Sequence, residues 1–188
     1  MKIKKILVIL LSIITLVSLS INYIYLKEHQ RKDYHYTVFI DQINTELRHI
    51  ITNTNKLTEH NLTGDNLQDS LNDLTTNLAI FNHSLQNSVL FIDGVDHKGQ
   101  TMIGRMNKLI TSGYKINQQF IPRFAEDNKL SPQESLILNS FYDLLKQARE
   151  QLNTESDSQQ ISKNRLNDIL DLFSSNNFDT LIKRGGSN

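Results

Sequence analysis

The chain divides into an opening stretch that is apolar all round and a long polar remainder whose apolar residues recur at helical spacing. From Ile6 to Leu26 there are 21 residues without a charge, of which 14 are Ile, Leu or Val. As a helix this stretch spans about 31 Å, the thickness of a bilayer's hydrocarbon core. Each aliphatic residue favours insertion by about 0.3–0.6 kcal/mol, and Ser and Thr hydroxyls can bond back to helix carbonyls. Tyr23 and Tyr25 stand at the far end, where aromatic rings favour the interface. The stretch is expected to be a transmembrane helix. A cleaved signal peptide is the competing reading, with Ser18 and Ser20 as cleavage-site residues, but its apolar region would be 7–15 residues and this one runs on through Ile21, Ile24 and Leu26. Lys2, Lys4 and Lys5 precede it and Lys27, Arg31 and Lys32 follow it, so charge alone does not decide the orientation. The five-residue N-terminal tail favours an N-terminus inside the cell with the bulk of the chain outside.

Beyond the membrane stretch, Tyr36, Ile40, Ile43, Leu47, Ile50, Thr54 and Leu57 follow a 4-3 alternation, the seam of a packed helix. A turn at His60–Asp65 follows, in which Gly64 is expected to stop the helix. The second seam is Leu67, Leu71, Leu74, Leu78, Phe81, Leu85, Ser88 and Ile92. Ser88–Ile92 could be a strand on its own, but it continues a heptad pattern already several turns long. A third seam, Met102, Met106, Leu109, Gly113, Ile116 and Phe120, is widened by Ile103 and Ile110 and should end or kink at Pro122. Ser131-Pro132-Gln133-Glu134 is a capping box with Pro at the first helical position. It opens a fourth seam of Leu138, Phe141, Leu145, Ala148 and Leu152. A polar break at 153–158 leads to a fifth helix with Ile161, Leu166, Ile169, Leu170 and Phe173, expected to end at Asn176-Asn177. Phe178, Leu181 and Ile182 would form one last turn. No segment alternates with period two for more than a few residues, so strands are not predicted.

The predicted fold is all-α: an N-terminal transmembrane helix continuing into an antiparallel bundle of four to five helices. The expected organisation is a short tail at 1–5, a transmembrane signal-anchor helix at 6–26, an extracytoplasmic bundle at 27–184 and a flexible tail at 185–188.

Composition narrows the function. The chain has no Cys, which removes disulfides, thiolate metal sites and a cysteine nucleophile. The formal charge is zero, but residues 27–188 carry 17 Lys and Arg against 20 Asp and Glu. A mildly acidic domain without a basic cluster is a poor ligand for phosphate backbones, so no nucleic-acid partner is expected.

Candidate chemistry is sparse. Gly94–Thr101 approaches the G-x-x-x-x-G-K-[ST] phosphate loop, but Gln100 stands where the lysine belongs and a helix rather than a strand precedes it. It reads better as a connection whose glycines cap two helices. Asp93, Asp96 and His97 could share a metal ion, although Asx turns explain the two acids equally well. Glu46 and His49 form one E-x-x-H pair, where a di-iron bundle needs two such pairs and two more carboxylates. His29, His35, His60 and His83 are isolated. Asn61 and Asn82 begin glycosylation sequons, a pattern too common to count in an Asn-rich chain. Thr54, Ser88 and Gly113 interrupt apolar seams, allowing close helix approach, a narrow cavity or simple packing adjustment.

The catalytic, cofactor-binding and metal sets are therefore expected to be empty, and the chain is expected to be non-enzymatic. The leading expectation is a protein-interaction or structural module anchored in the lipid bilayer through residues 6–26, holding a protein partner or forming a homo-oligomer. An extracytoplasmic ligand-sensing bundle acting through a membrane partner, and an immunity-type protective protein, are the alternatives.

Overall fold

The computed structural model describes residues 2–60, 62–96, 98–116, 119–153 and 161–186, for residues 2–9, 89–90, 98, 119 and 185–186 the backbone only. The elements are α1 (Lys2–Glu59), α2 (Gly64–Phe91), α3 (Lys98–Ser112), β1 (Tyr114–Ile116), β2 (Gln119–Ile121), α4 (Pro132–Asn153), α5 (Lys163–Leu170), a 3-10 turn (Asp171–Phe173) and α6 (Ser175–Gly186). The chain forms two compact units, Met1–Val38 and Phe39–Asn188.

The first unit is helical throughout its described length. Its apolar side chains from Leu10 to Leu26 are exposed, and an 18-residue window here has a mean hydropathy of 1.6 with none of it buried. The one helix long and apolar enough to cross a membrane, among the described residues, is therefore the N-terminal one, as its composition predicts. Its hydroxyls bond back as expected: Thr15 Oγ1 donates to Leu11 O and Ser20 Oγ to Leu16 O, both at 2.9 Å. After the apolar stretch the helix becomes polar, with exposed Lys32–Glu28 and His29–Asp33 pairs one turn apart.

The second unit is an all-α bundle whose core is built from the predicted seams. In α1, Ile43, Leu47, Ile50, Thr54 and Leu57 are buried, while Phe39 takes the core position expected of Ile40. The whole α2 seam from Leu67 to Ile92 is buried, as is that of α4. These stripes are closed within a single chain. Fully burying one such side chain contributes about 1.5–3 kcal/mol, so the seams are the principal source of the unit's stability. The polar seam residues bond to their own helices: Thr54 Oγ1 donates to Ile50 O and Ser88 Oγ to Leu85 O, both at 2.8 Å.

The capping box stands as read. Glu134 N donates to Ser131 Oγ, and Ser131 N donates back to Glu134 Oε2 at 2.7 Å. The second carboxylate oxygen accepts from Ala125 N at 3.0 Å, which the motif alone does not disclose. Ala125 and Asn128 hold left-handed backbone (φ 54° and 62°), so this bond stabilises a strained turn. Asn128 O in turn accepts from Gly64 N, joining the lead-in of α4 to the start of α2.

Four expectations are corrected. Gly64 does not stop α1; it is the first residue of α2, with φ +57°. The third helix ends at Ser112 rather than at Pro122, because Gly113 adopts φ +76° and its N–H bonds back to Leu109 O. The chain then forms a two-stranded antiparallel hairpin, Tyr114 opposite Ile121 and Ile116 opposite Gln119, where no strand is predicted. Gly113 does allow a close approach, but of β2 and not of a helix: a Cβ there would lie 2.4 Å from Ile121 O. Phe120, assigned to the third seam, is consequently 63% exposed. Finally, the break in the last helical region falls at Ser174, and Asn176 and Asn177 lie inside a 12-residue α6 that extends through Gly186. Phe178, Leu181 and Ile182 bury its inner face. The expected polar break lies mostly outside the described residues.

Candidate functional site

The candidate metal-ligating residues do not converge. Glu46 is buried, and its Oε1 accepts from Ser84 Oγ at 2.7 Å and Gln42 Nε2 at 2.8 Å. His49, three residues on, faces solvent. The E-x-x-H pair is therefore split between a cross-helix hydrogen-bond network and the surface. Among the described residues no group of three His, Asp or Glu side chains is placed to hold a metal ion; His97 lies outside them.

The Gly94–Thr101 connection is tied to α5 and not shaped around a phosphate. The Asn167 side chain donates to Gly94 O and accepts from Asp96 N, both at 2.8 Å, and Lys163 Nζ donates to Asp93 O. These bonds satisfy the loop's backbone groups as a strand partner would. Gly99 packs against Leu170, whose carbonyl oxygen would lie 3.1 Å from an added Cβ. Both glycines thus have structural uses. His29, His35, His60 and His83 are exposed. The Asn82 sequon is partly buried and its Ser84 is engaged with Glu46, while Asn61 lies outside the described residues.

A candidate site forms on the side of the bundle where α2, α3 and the hairpin meet, with Asn82 of the sequon and Gln100 and Thr101 of the phosphate-loop stretch in its lining. It is a pocket of about 380 Å³. Asn82 and Gln86 line it from α2, one turn apart. Gln100, Thr101, Gly104, Arg105 and Lys108 line it from α3, on the two rows that 3- and 4-residue spacing brings to one face. Tyr114 closes it from β1. Among the described residues no acidic side chain lines it.

Its arginine is held in place. The Arg105 guanidinium carbon lies 5.8 Å from the Tyr114 ring centroid and 5.7 Å from that of Phe178, and the two rings meet edge to face at 5.4 Å. Arg105 Nη1 is 3.3 Å from Asp179 Oδ1, with the two side chains 29% and 44% exposed. That exposure limits the ion pair to a fraction of a kcal/mol, and each ring contact adds about 0.5–1 kcal/mol. The main effect is orientation. Lys108 Nζ lies 5.9 Å over the Tyr114 ring and makes no ion pair among the described residues. Of two cations one turn apart, only Arg105 is paired with a carboxylate among the described residues.

The floor carries an unsatisfied group. Asn82 Oδ1 is buried without a hydrogen-bond partner. It faces Gly104, where an added Cβ would come no closer than 3.9 Å. Oδ1 is thus covered by the α3 backbone at Gly104 and closed to solvent. The pocket as a whole is a shallow depression open to solvent and not an enclosed cavity.

Compared with protein-family models, curated proteins and solved structures, the chain matches none.

Proposed function

We propose that the chain is a membrane-anchored, non-enzymatic helical protein that holds a partner at the outer face of the cell membrane. In this reading residues 6–26 cross the bilayer, the N-terminal tail is cytoplasmic and the bundle is outside. The observation that carries it is the unburied apolar window of the N-terminal helix, at a mean hydropathy of 1.6. A soluble protein's core helix passes the same composition test, but it would be covered by its neighbours. Its hydroxyls are paired internally, as lipid requires.

Two features favour binding over catalysis. The one E-x-x-H pair is split, so the acid and the imidazole do not act on a common atom. Phe91 and Phe120 leave 72% and 63% of their surface exposed, which suits a contact with another protein more than a free surface. The α1 seam is consumed inside the chain, so self-association, where it occurs, uses other residues. Crosslinking in native membranes tests this reading. Phe91→Ser with Phe120→Ser should abolish a crosslinked species formed by the native chain, at unchanged melting temperature. An unaltered crosslinking pattern would overturn the partner surface.

A second reading is favoured by one observation: the open depression at Arg105 and Lys108 gathers two cations, three amides and a hydroxyl at one place. In it the bundle is an extracytoplasmic ligand sensor whose signal passes to a membrane partner.

A further inference from the structure

We infer that the pocket between α2, α3 and the hairpin binds a small organic anion that also carries a hydrogen-bond donor, of the class of hydroxy acids and sugar phosphates. This rests on the ligand-binding reading and extends it to a chemical class.

Charge gives the first half of the assignment. Arg105 and Lys108 stand one turn apart on α3, and among the described residues the one carboxylate that pairs with either is Asp179, 3.3 Å from Arg105 and outside the lining. Like charges at this spacing are mutually destabilising, and an anion between them removes that penalty. The Arg105 guanidinium is held by two rings and an acid, so little side-chain freedom is lost when it donates to a carboxylate or phosphate. Lys108 adds a mobile point charge at the rim.

The neutral part of the lining gives the second half. The remaining lining groups, Gln86, Gln100 and Thr101, are amides and a hydroxyl, which suit a hydroxylated ligand better than an apolar one.

The test uses the full-length chain in nanodiscs, with gluconate, glucose 6-phosphate and uncharged glucose as probes at matched ionic strength. Calorimetric titration and thermal unfolding are the readouts. At ten times its Kd, gluconate or glucose 6-phosphate should raise the melting temperature by about 3–5 °C, and glucose should not. The tighter of the two identifies carboxylate or phosphate as the preferred anion. Lys108→Gln, at an exposed position, should weaken binding about 10-fold without changing the unliganded melting temperature, and Lys108→Arg should restore it. Failure of both anions to bind by about 10 mM, or equal binding by Lys108→Gln, overturns the assignment. If glucose binds as well as gluconate, the anion requirement falls and the ligand-binding reading stands. If none of the three binds, both fall.

Discussion

The same methyl group added at two glycines of α3's neighbourhood should change stability in opposite directions. At Gly113 the backbone has φ +76°, and an L-residue in that conformation is destabilised by about 1–2 kcal/mol. The added Cβ would also lie 2.4 Å from Ile121 O, 2.8 Å from Phe120 Cζ and 3.1 Å from Arg123 N. Two of these three are backbone atoms, so β2 must move away, and overpacking of this kind costs about 1–3 kcal/mol. Gly113→Ala should therefore lose about 2–5 kcal/mol, which for a chain of this size lowers the melting temperature by roughly 4–20 °C. At Gly104, inside α3, the nearest atom to the new methyl is Asn82 Oδ1 at 3.9 Å, an ordinary contact. Gly104→Ala should gain about 0.5–1 kcal/mol through reduced backbone freedom in the unfolded chain and better helix propensity. Thermal unfolding followed by circular dichroism at the helix band, on both variants in the same detergent, compares the two directly. A Gly113→Ala variant as stable as the native chain would refute the hairpin's placement over Gly113.

Three further outcomes follow from the same contacts. Glu134→Ala removes acceptors from both Ser131 N and Ala125 N, and should lower stability by about 1–2 kcal/mol in denaturant titration, about as much as losing an N-cap. Asn167→Ala removes both bonds to the Gly94–Asp96 backbone; hydrogen exchange should accelerate at Asp96 while the interior amides of α2 keep their protection. Leu16→Arg places a charge in the apolar helix at a cost of about 2.5–3.5 kcal/mol for insertion, and should raise the fraction of chain released from membranes by alkaline carbonate.

The helices were legible wherever their seams are long and their ends chemically marked. The α2 stripe from Leu67 to Ile92 and the Ser131–Glu134 box are each satisfied residue by residue. The hairpin was not, because its strands have three residues each, too few for alternation to register. Ile116 and Phe120 also happen to continue the 4-3 spacing of α3, so periodicity carried the helix past its real end. The usable signal was Gly113 itself, a left-handed C-terminal residue followed by the β-favouring Tyr114 and Ile116. The exchange of Ile40 for Phe39 reflects a heptad read from the membrane side, where the seam has only begun to meet neighbours.

The pocket was invisible for a different reason. Its groups come from two helices and a strand, and which residues of α2 face which of α3 depends on register that a single sequence does not encode. Gln100 registered as a lysine missing from a phosphate loop and Asn82 as a sequon, whereas both line the same pocket. Arg105 and Gly104 belong to no motif, and their importance comes from Tyr114, Phe178 and Asp179, which reach Arg105 only after folding.

Because the chain contains no Cys, topology can be measured against a silent background. Single cysteines placed at Lys4 and at the exposed Thr76 should behave oppositely towards a membrane-impermeant maleimide applied to intact cells. A membrane-anchored bundle facing outward predicts immediate labelling of Thr76→Cys, labelling of Lys4→Cys only after permeabilisation, and both variants in the membrane fraction. Thr76→Cys protected in intact cells, or recovered in the soluble fraction, would contradict it.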